Sequence, residues 1–486
     1  MAATAEQQLV INEILKPKCT FLKVSACSGS GKTFTLVELV KALVPKNGLY
    51  IAYNKAIATE ASGKFPSTVQ CCTTHSLAWR ATVRQFGLKV GYFGYRDIKA
   101  KMPYERKLTL VDAIEEFCLS GYTSFTDFIN ASETYSHKLA LPGENILTEM
   151  STGVTTCTHA FYLKLYHMLL INGDVDQKEL DVLLLDEAGD LNEVTLQIFL
   201  ALPAKKKVMV GDPNQNIYSF NNTINGFEIL RNVGTQLGLT NSFRVSREIA
   251  YQVELFARDT FDENMQFRGI TYDNNNLDTY AYISRTNGQL IARMMELNLF
   301  KTPYNLVRPV KSIFALPMAI IGLKQGGKIL NPQHKFLQDD TDDYYKSRAL
   351  QREYKSPMAY IESVHSENAS VKSAISMIHA HGPRDLIEAK DIALKYESSK
   401  TTYPLTVCTS HSSKGLEFDS VEIGDDTNQG LSKILALPKK EWEPKHYEEM
   451  RLFYVAATRA RKELLNAKHL EKYAALAVKL TATGDS

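Results

Sequence analysis

The sequence is poor in the features that mark several protein classes. No run approaches the roughly 18 uninterrupted apolar residues of a membrane-spanning helix. The first fifteen residues, with Glu6 and Glu13 among polar neighbours, lack the basic start and apolar block of a signal peptide. The seven cysteines (Cys19, Cys27, Cys71, Cys72, Cys118, Cys157 and Cys408) form no CxxC pair. That scatter argues against a zinc site or a disulfide framework and for a reducing cytoplasm. An excess of charge of one sign is missing as well: the formal net charge is only +2. Any contact with nucleic acid must therefore be local rather than a general basic coat. There is no short-period repeat and no low-complexity tract. What remains, 486 residues of which 44% are apolar and 23% charged, is the composition of an ordinary globular chain with room for more than one domain.

Short apolar, strand-like runs recur at 21–27, 49–53, 182–185, 208–210, 280–283, 405–408 and 420–423. Each is followed by polar or glycine-bearing residues and usually by helical spacing, as at 34–43. That alternation predicts an α/β chain with parallel sheets covered by helices. Two regions break the pattern. Residues 85–170 are mixed and aromatic-rich with helical pieces such as 108–119, and 325–400 are polar and largely helical, with the acidic cluster Asp339-Asp340-Thr341-Asp342-Asp343. Both read as insertions. The expected division is 1–84 with 171–250 as a first α/β domain, and 251–324 with 401–486 as a second.

Between the first strand and the first helix lies Ala26-Cys-Ser-Gly-Ser-Gly-Lys-Thr33. A triphosphate needs backbone N–H groups turned inward, and glycines permit that curve. Ser28, Gly29, Ser30 and Gly31 would cradle the phosphates of ATP. Lys32 would reach the β- and γ-phosphates, and the Thr33 hydroxyl would ligand Mg²⁺. Residue 26 is Ala where the general pattern has Gly. A glycine-rich turn with a chance Gly-Lys-Thr is the plain alternative, and the strand–loop–helix setting argues against it. Val182-Leu-Leu-Leu-Asp-Glu-Ala-Gly-Asp190 supplies the complementary half. Four apolar residues suit a buried strand that delivers Asp186 to the metal, with Glu187 beside it to polarise the attacking water.

In their order, these and the later motifs resemble the superfamily 1 helicases of the UvrD/Rep/PcrA type, most of all the shorter branch that includes the F-box DNA helicases, although no F-box-like segment occurs here. The resemblance runs from about residue 4 to 462, strong at the motifs and weak in the insertions. It implies two RecA-like motor domains, a P-loop NTPase architecture, each with a mainly helical insertion. In Thr4-Ala-Glu-Gln7 it implies that Gln7 recognises adenine, with Gln8 one position away. Tyr53-Asn54 and Thr73-Thr-His75 match the next two motifs and would contact the DNA strand. In Val210-Gly-Asp-Pro-Asn-Gln-Asn-Ile-Tyr-Ser-Phe220, Gln215 would sense the γ-phosphate, Asp212 would lie near the metal, and Tyr218 and Phe220 would meet bases. Stacking on an aromatic ring is worth about 1–3 kcal/mol per base and tolerates any sequence, which suits a motor on an arbitrary track.

Asn241-Ser-Phe-Arg244 would place Phe243 on adenine and make Arg244 the first arginine finger; the match at 449–460 makes Arg459 the second. A guanidinium meeting developing charge on phosphoryl oxygens is worth roughly 10³–10⁵ in rate in related NTPases. Arg451 is expected to hold its motif by ion pairing. The charged segment 448–461 reads as an exposed helix whose Arg461 and Lys462 are solvated. In Thr409-Ser-His-Ser-Ser-Lys-Gly-Leu-Glu-Phe418, Ser410 and His411 would touch the DNA backbone, and Gly415 and Glu417 would lie by the γ-phosphate and ribose. Lys414 would contact either ligand. Ser284-Arg-Thr-Asn287 puts Arg285 on the DNA path or in the nucleotide cleft. Two departures from the family pattern matter. Gly189 stands where a Gln commonly follows Asp-Glu-Ala and helps couple the cores. Cys27 and Ser28 replace Gly-Ala, which would make the loop sensitive to thiol reagents.

The resemblance implies ATP held between two cores that close on binding and part on hydrolysis, stepping 3′ to 5′ along single-stranded DNA. Single-strand/duplex junctions would be substrates, and recombination or replication proteins would be partners of a monomeric enzyme in DNA repair, recombination or replication. The setting would be a bacterial or phage-infected cytoplasm, or a nucleus in a eukaryote. The competing readings are a nucleotide-dependent switch, a translocase that strips proteins without unwinding, and an RNA track. The C-terminal tail carries no nuclease-like acidic constellation.

Overall fold

Strands covered by helices on both faces are buried on both sides and read as continuous apolar runs, and Val182 to Leu185 are all buried. The computed structural model describes residues 2–217, 223–272, 276–329, 334–366, 368–399 and 401–473. The chain divides into two units, Met1–Phe243 and Arg244–Ser486. In the first, β1 (Phe21–Ala26), β2 (Gly48–Ala52), β3 (Val69–Thr73), β4 (Leu180–Leu185), β5 (Ala204–Gly211) and β6 (Thr235–Leu239) form one sheet in the order β3-β2-β4-β5-β1-β6. Every pairing within it is parallel. The period-2 alternation of strand side chains sends Val182 and Leu184 into a core with Val10, Ile14 and Val40. Leu183 and Leu185 enter a second core on the opposite face, with Phe117, Phe161 and Tyr166.

That second core is shared with the aromatic-rich insertion, whose helices include Tyr104–Leu119, Phe125–Ala131, Ala140–Ser151 and His159–Asn172. The insertion is thus continuous with the sheet's own core rather than a separately folded lobe. The second unit repeats the plan. Here β7 (Tyr280–Ser284), β8 (Asn305–Leu306), β9 (Leu405–Thr409), β10 (Phe418–Ile423) and β11 (Ala460–Leu465) form a five-stranded parallel sheet in the order β8-β9-β7-β10-β11. Between β8 and β9 the described residues are mainly helical, from Val310–Ile313 to Ala369–Ser398. The latter is broken by Gly382 (φ 78°, ψ 161°) followed by Pro383, a residue pair that no helix interior holds straight. The α/β parallel-sheet class and the helical character of both insertions are as the sequence implied.

The segment 448–461 differs from expectation. Its helix, Pro444–Ala457, buries Met450 and every residue from Leu452 to Ala457, because Leu-Phe-Tyr-Val-Ala-Ala is apolar all round and must be covered on every side. Ala460–Leu465 is not helix but edge strand β11. Lys462 is accordingly not solvated: its ammonium donates to the Asn276 carbonyl (2.6 Å) and lies 3.5 Å from Asp419. Among the described residues no helix is long and apolar enough to cross a membrane.

Candidate active site

β1 ends at Ala26, and the chain then turns through two left-handed glycines, Gly29 (φ 76°) and Gly31 (φ 77°), before entering the helix Lys32–Leu43. Gly31 occupies the N-cap with no side chain to satisfy the orphan N–H groups of the first turn, which leaves them available to an anion. Two predicted adenine residues flank this loop. A Cβ on Gly31 would lie 3.1 Å from Gln7 Nε2 and 3.6 Å from Phe243 Cε2. Gln7 Nε2 donates to the Ser30 carbonyl (3.3 Å), and its Oε1 accepts from the Thr4 backbone in a capping box. Gln8 instead donates to Asn12, so of the two it is Gln7 that reaches the loop. The Phe243 backbone N–H donates to the Gly29 carbonyl (2.8 Å). Its ring, 47% exposed, keeps a face open for stacking.

The acidic centre forms where β4 ends. Asp186 is buried, accepts the Tyr50 hydroxyl at 2.5 Å and accepts the Glu187 backbone N–H at 2.8 Å. Burial and the adjacent Glu187 push its carboxyl above the usual carboxylate range, against the pull of Lys32. Lys32 Nζ lies 3.1 Å from Glu187 Oε1. Burial opposes the ammonium charge, but Glu187, Asp186 and Asp212 outweigh it and hold Lys32 above its ordinary value. Glu187 has φ 55°; left-handed backbone at a non-glycine residue costs roughly 1–3 kcal/mol and clusters at functional sites. One ammonium facing buried carboxylates beside a glycine turn is a donor set that fits a hydrated divalent cation and a polyphosphate: Thr33 and Asp186 on the metal, Lys32 on the anion. Burial, with Asp212 and Glu6 near, pushes the Cys27 thiol well above the usual range, the opposite of the electropositive, exposed setting a reactive cysteine needs.

The turn after β5 packs directly on the Asp186-Glu187 turn. The Ala188 N–H donates to the Val210 carbonyl (2.9 Å), and the Gly226 N–H to the Ala188 carbonyl (3.1 Å). A Cβ on Gly189 would sit 2.2 Å from the Asp212 carbonyl oxygen, and one on Gly211 would sit 2.6 Å from the Ala188 nitrogen. Two glycines thus let the turns meet backbone to backbone, and the Gln common at position 189 in the family has no room. Asp212 accepts Gln215 Nε2 at 2.8 Å, which joins the predicted γ-phosphate sensor to the same centre. Tyr218 and Phe220 lie outside the described residues.

The predicted DNA residues of the first unit divide into two sorts. Asn54 and Thr73 are helix N-caps, accepting from the Ile57 N–H (2.9 Å) and the Ser76 N–H (3.2 Å). Tyr53, 50% exposed, and His75, exposed on its helix, present rings at the C-terminal ends of β2 and β3. Ala52 pairs with Thr73 across these strands, so the two loops are neighbours.

In the second unit Arg244 Nε lies 2.7 Å from Glu417 Oε2, joining the predicted first finger to the predicted ribose contact. Arg459 is 1% exposed and donates to the carbonyls of Val455 (2.9 Å) and Leu416 (3.2 Å), which seats it behind the Gly415–Glu417 turn. Gly415 itself is left-handed (φ 86°). Arg285 makes three bonds of 2.7–2.9 Å to Glu449, so Glu449 grips Arg285 inside the unit. Ser410 is fully buried and donates to the Ser284 carbonyl from both its N–H and its hydroxyl, whereas His411 is half-buried beside it. Sequence reasoning missed Tyr50 and the Gly189–Gly211 contact. Tyr50 stands in an otherwise aliphatic strand, a detectable signal for a hydroxyl with a partner.

A family model described as the UvrD-like helicase C-terminal domain matches residues 73–471. F-box DNA helicase protein 1 of Schizosaccharomyces pombe is 26% identical over an alignment of 541 residues that covers 97% of this chain and 58% of the relative. F-box DNA helicase 1 of Gallus gallus is 24% identical over 531 residues, covering 98% and 50%. The chain therefore spans only about half the length of these curated relatives. Their branch is the one that the motifs resemble.

Proposed function

The chain belongs to the UvrD-like helicase family, and from that premise we propose that it is an ATP-driven DNA helicase that moves 3′ to 5′ on single-stranded DNA and opens duplex ahead of it. The observation that carries the reading is Lys32 Nζ, 3.1 Å from Glu187 at the mouth of a glycine turn, with Asp186 beside it. Lys32 binds and neutralises the β- and γ-phosphates, in exchange for its present carboxylate partners. Glu187, released from that ion pair, takes the proton of the attacking water. Gln215, tethered to Asp212, senses whether the γ-phosphate is in place, while Gln7 and Phe243 hold adenine. Thr33 and Asp186 would hold Mg²⁺, which would supply neutralisation of phosphate charge. From the second unit, Arg244 and Arg459 meet the developing charge, and Gly415 and Glu417 contact the nucleotide.

Tyr53, His75 and His411 are the proposed contacts to the DNA strand, with Arg285 and Ser410 shaping its path from within the second unit. The relatives named above are DNA helicases by their printed names, which supports DNA as the track. ATP turnover measured with and without single-stranded DNA tests the reading. Strong stimulation is expected, lost by about 10³-fold or more in Lys32→Ala and Arg459→Ala. An unstimulated rate, or full stimulated turnover in both variants, would overturn it. Faster opening of a 5′-tailed than a 3′-tailed duplex would overturn the direction alone.

A further inference from the structure

With a net charge of only +2 any nucleic-acid contact must be local, and one basic segment in the first unit combines cations with exposed aromatic rings. Between Glu60 and Asp97 there is no Asp or Glu at all, while Lys64, Arg80, Arg84, Lys89 and Arg96 all fall inside it. Three large aromatic side chains of this segment, Trp79, Phe86 and Tyr92, are exposed. Cations interleaved with exposed aromatic faces are the composition of a single-strand track: charge follows the backbone and rings stack on bases.

Trp79 is the best placed of the three. It lies in the helix Thr74–Ala81, whose exposed positions are His75, Ser76, Trp79 and Arg80. The i, i+4 spacing of His75 with Trp79 and of Ser76 with Arg80 puts all four on one face. That face follows β3 at the same sheet edge as Tyr53. Trp79 is 42% exposed, although the indole is the largest apolar side chain and would gain most from burial. Tyr162, buried in the helix His159–Asn172, meets Trp79 edge-on at 5.7 Å and 87°. The same tyrosine meets His75 edge-on at 5.8 Å and 90°, and its hydroxyl lies 3.2 Å from His159 Nδ1. A buried ring thus braces one that stays 42% exposed.

We propose that Trp79 is a base-stacking residue for single-stranded DNA, braced by Tyr162 and set in the carboxylate-free basic segment 61–96. The inference rests on the DNA-motor reading above and names a contact that the motifs do not. Ordering the ring in advance removes part of the entropy that stacking would otherwise cost.

Oligo(dT) titrated into the 486-residue chain without nucleotide, with tryptophan emission as the signal, tests it. Trp79 and Trp442 are the two tryptophans, so the quench is assigned with Trp79→Phe, which should lose it while keeping affinity within about three-fold. Trp79→Ala should raise Kd about ten-fold, within the range of one lost base stack, and leave the slope of log Kd against log salt unchanged because no phosphate contact is removed. A thermal melt of each variant separates this loss from unfolding, and the quench in the unaltered chain stands independently of either substitution. Binding with no quench, and with unchanged affinity in Trp79→Ala, overturns this inference alone. Failure of the unaltered chain to bind oligo(dT) overturns the motor reading and this inference with it.

Discussion

Replacing Gly189 by alanine drives a methyl group into the backbone of the neighbouring turn. The new Cβ would stand 2.2 Å from the Asp212 carbonyl oxygen, 2.8 Å from its carbon and 3.2 Å from the Pro213 Cα. None of these atoms is the free end of a flexible side chain, so relief requires the turns themselves to part. Reaching even the 3.0 Å below which real Cβ contacts are essentially never found needs a shift of about 0.8 Å. One turn carries Glu187 and the other carries Asp212 with Gln215. Displacement by about 1 Å of groups that must be aligned for reaction costs on the order of 10² in rate. The expected outcome is an approximately hundred-fold fall in kcat for DNA-stimulated ATP turnover. KM for ATP should stay within a few-fold, since Gly29, Gly31 and Lys32 are untouched. Gly189→Gln, which restores the side chain common in the family, should be no better, because its Cβ meets the same carbonyl. Gly430→Ala, where nothing lies within 4 Å, is the control. Wild-type kcat in Gly189→Ala would refute the claim that backbone contact links these turns.

Two further outcomes are expected. Glu417→Gln removes the charge facing Arg244 (2.7 Å); both side chains are partly exposed, 22% and 46%, so the melting temperature should reflect a loss below about 1 kcal/mol. KM for ATP should nonetheless rise several-fold, and an unchanged KM would detach Glu417 from the nucleotide. His167 is buried, and burial, followed by the charge of Lys164, pushes its imidazole down to about 4 from 6.5. Between those values the unfolded chain binds a proton that the folded chain does not. Stability is therefore intact above pH 6.5 and falls as pH drops toward 4, by about 3 kcal/mol at most. Melting curves from pH 7 to 4.5 should show this dependence reduced in His167→Phe; identical pH profiles would exclude His167 as its source.

The chemistry-bearing residues were legible where function forces a local pattern. Gly-Ser-Gly-Lys-Thr and four aliphatic residues before Asp186 are contiguous in sequence, so the loop, the strand and the carboxylates could be placed by reading. Gln7 against Gln8 could not be decided that way, because the choice depends on which face of the first helix meets Ser30, a contact across 23 positions. The segment 448–461 misled for a related reason. Its charges stand at the two ends and suggested an exposed helix, whereas the apolar middle is a buried helix end followed by an edge strand. Position 189 shows the limit most plainly. A glycine there looks like a loss against the family pattern, and only the approach of Asp212 turns it into a requirement.

On the proposed reading, the sheet order would let fuel and track be neighbours within one unit. In a parallel sheet all C-terminal ends lie on one edge, where ligands bind. In the order β3-β2-β4-β5-β1-β6, the strands that end in the nucleotide turns, β4, β5 and β1, are consecutive. The strands that end in Tyr53 and in the helix carrying His75 and Trp79, β2 and β3, come next. The boundary falls between β2 and β4, and there the Tyr50 hydroxyl bonds to Asp186. Tyr50 is three residues from Tyr53 on the same chain segment, so on the proposed reading a shift of the carboxylate proposed to hold the metal would reach the strand that presents the proposed DNA ring. A motor that must report phosphate chemistry to its grip needs a rigid element reaching both. On the proposed reading β2 would be that element: it is buried along its length, and a tightly packed interior transmits strain.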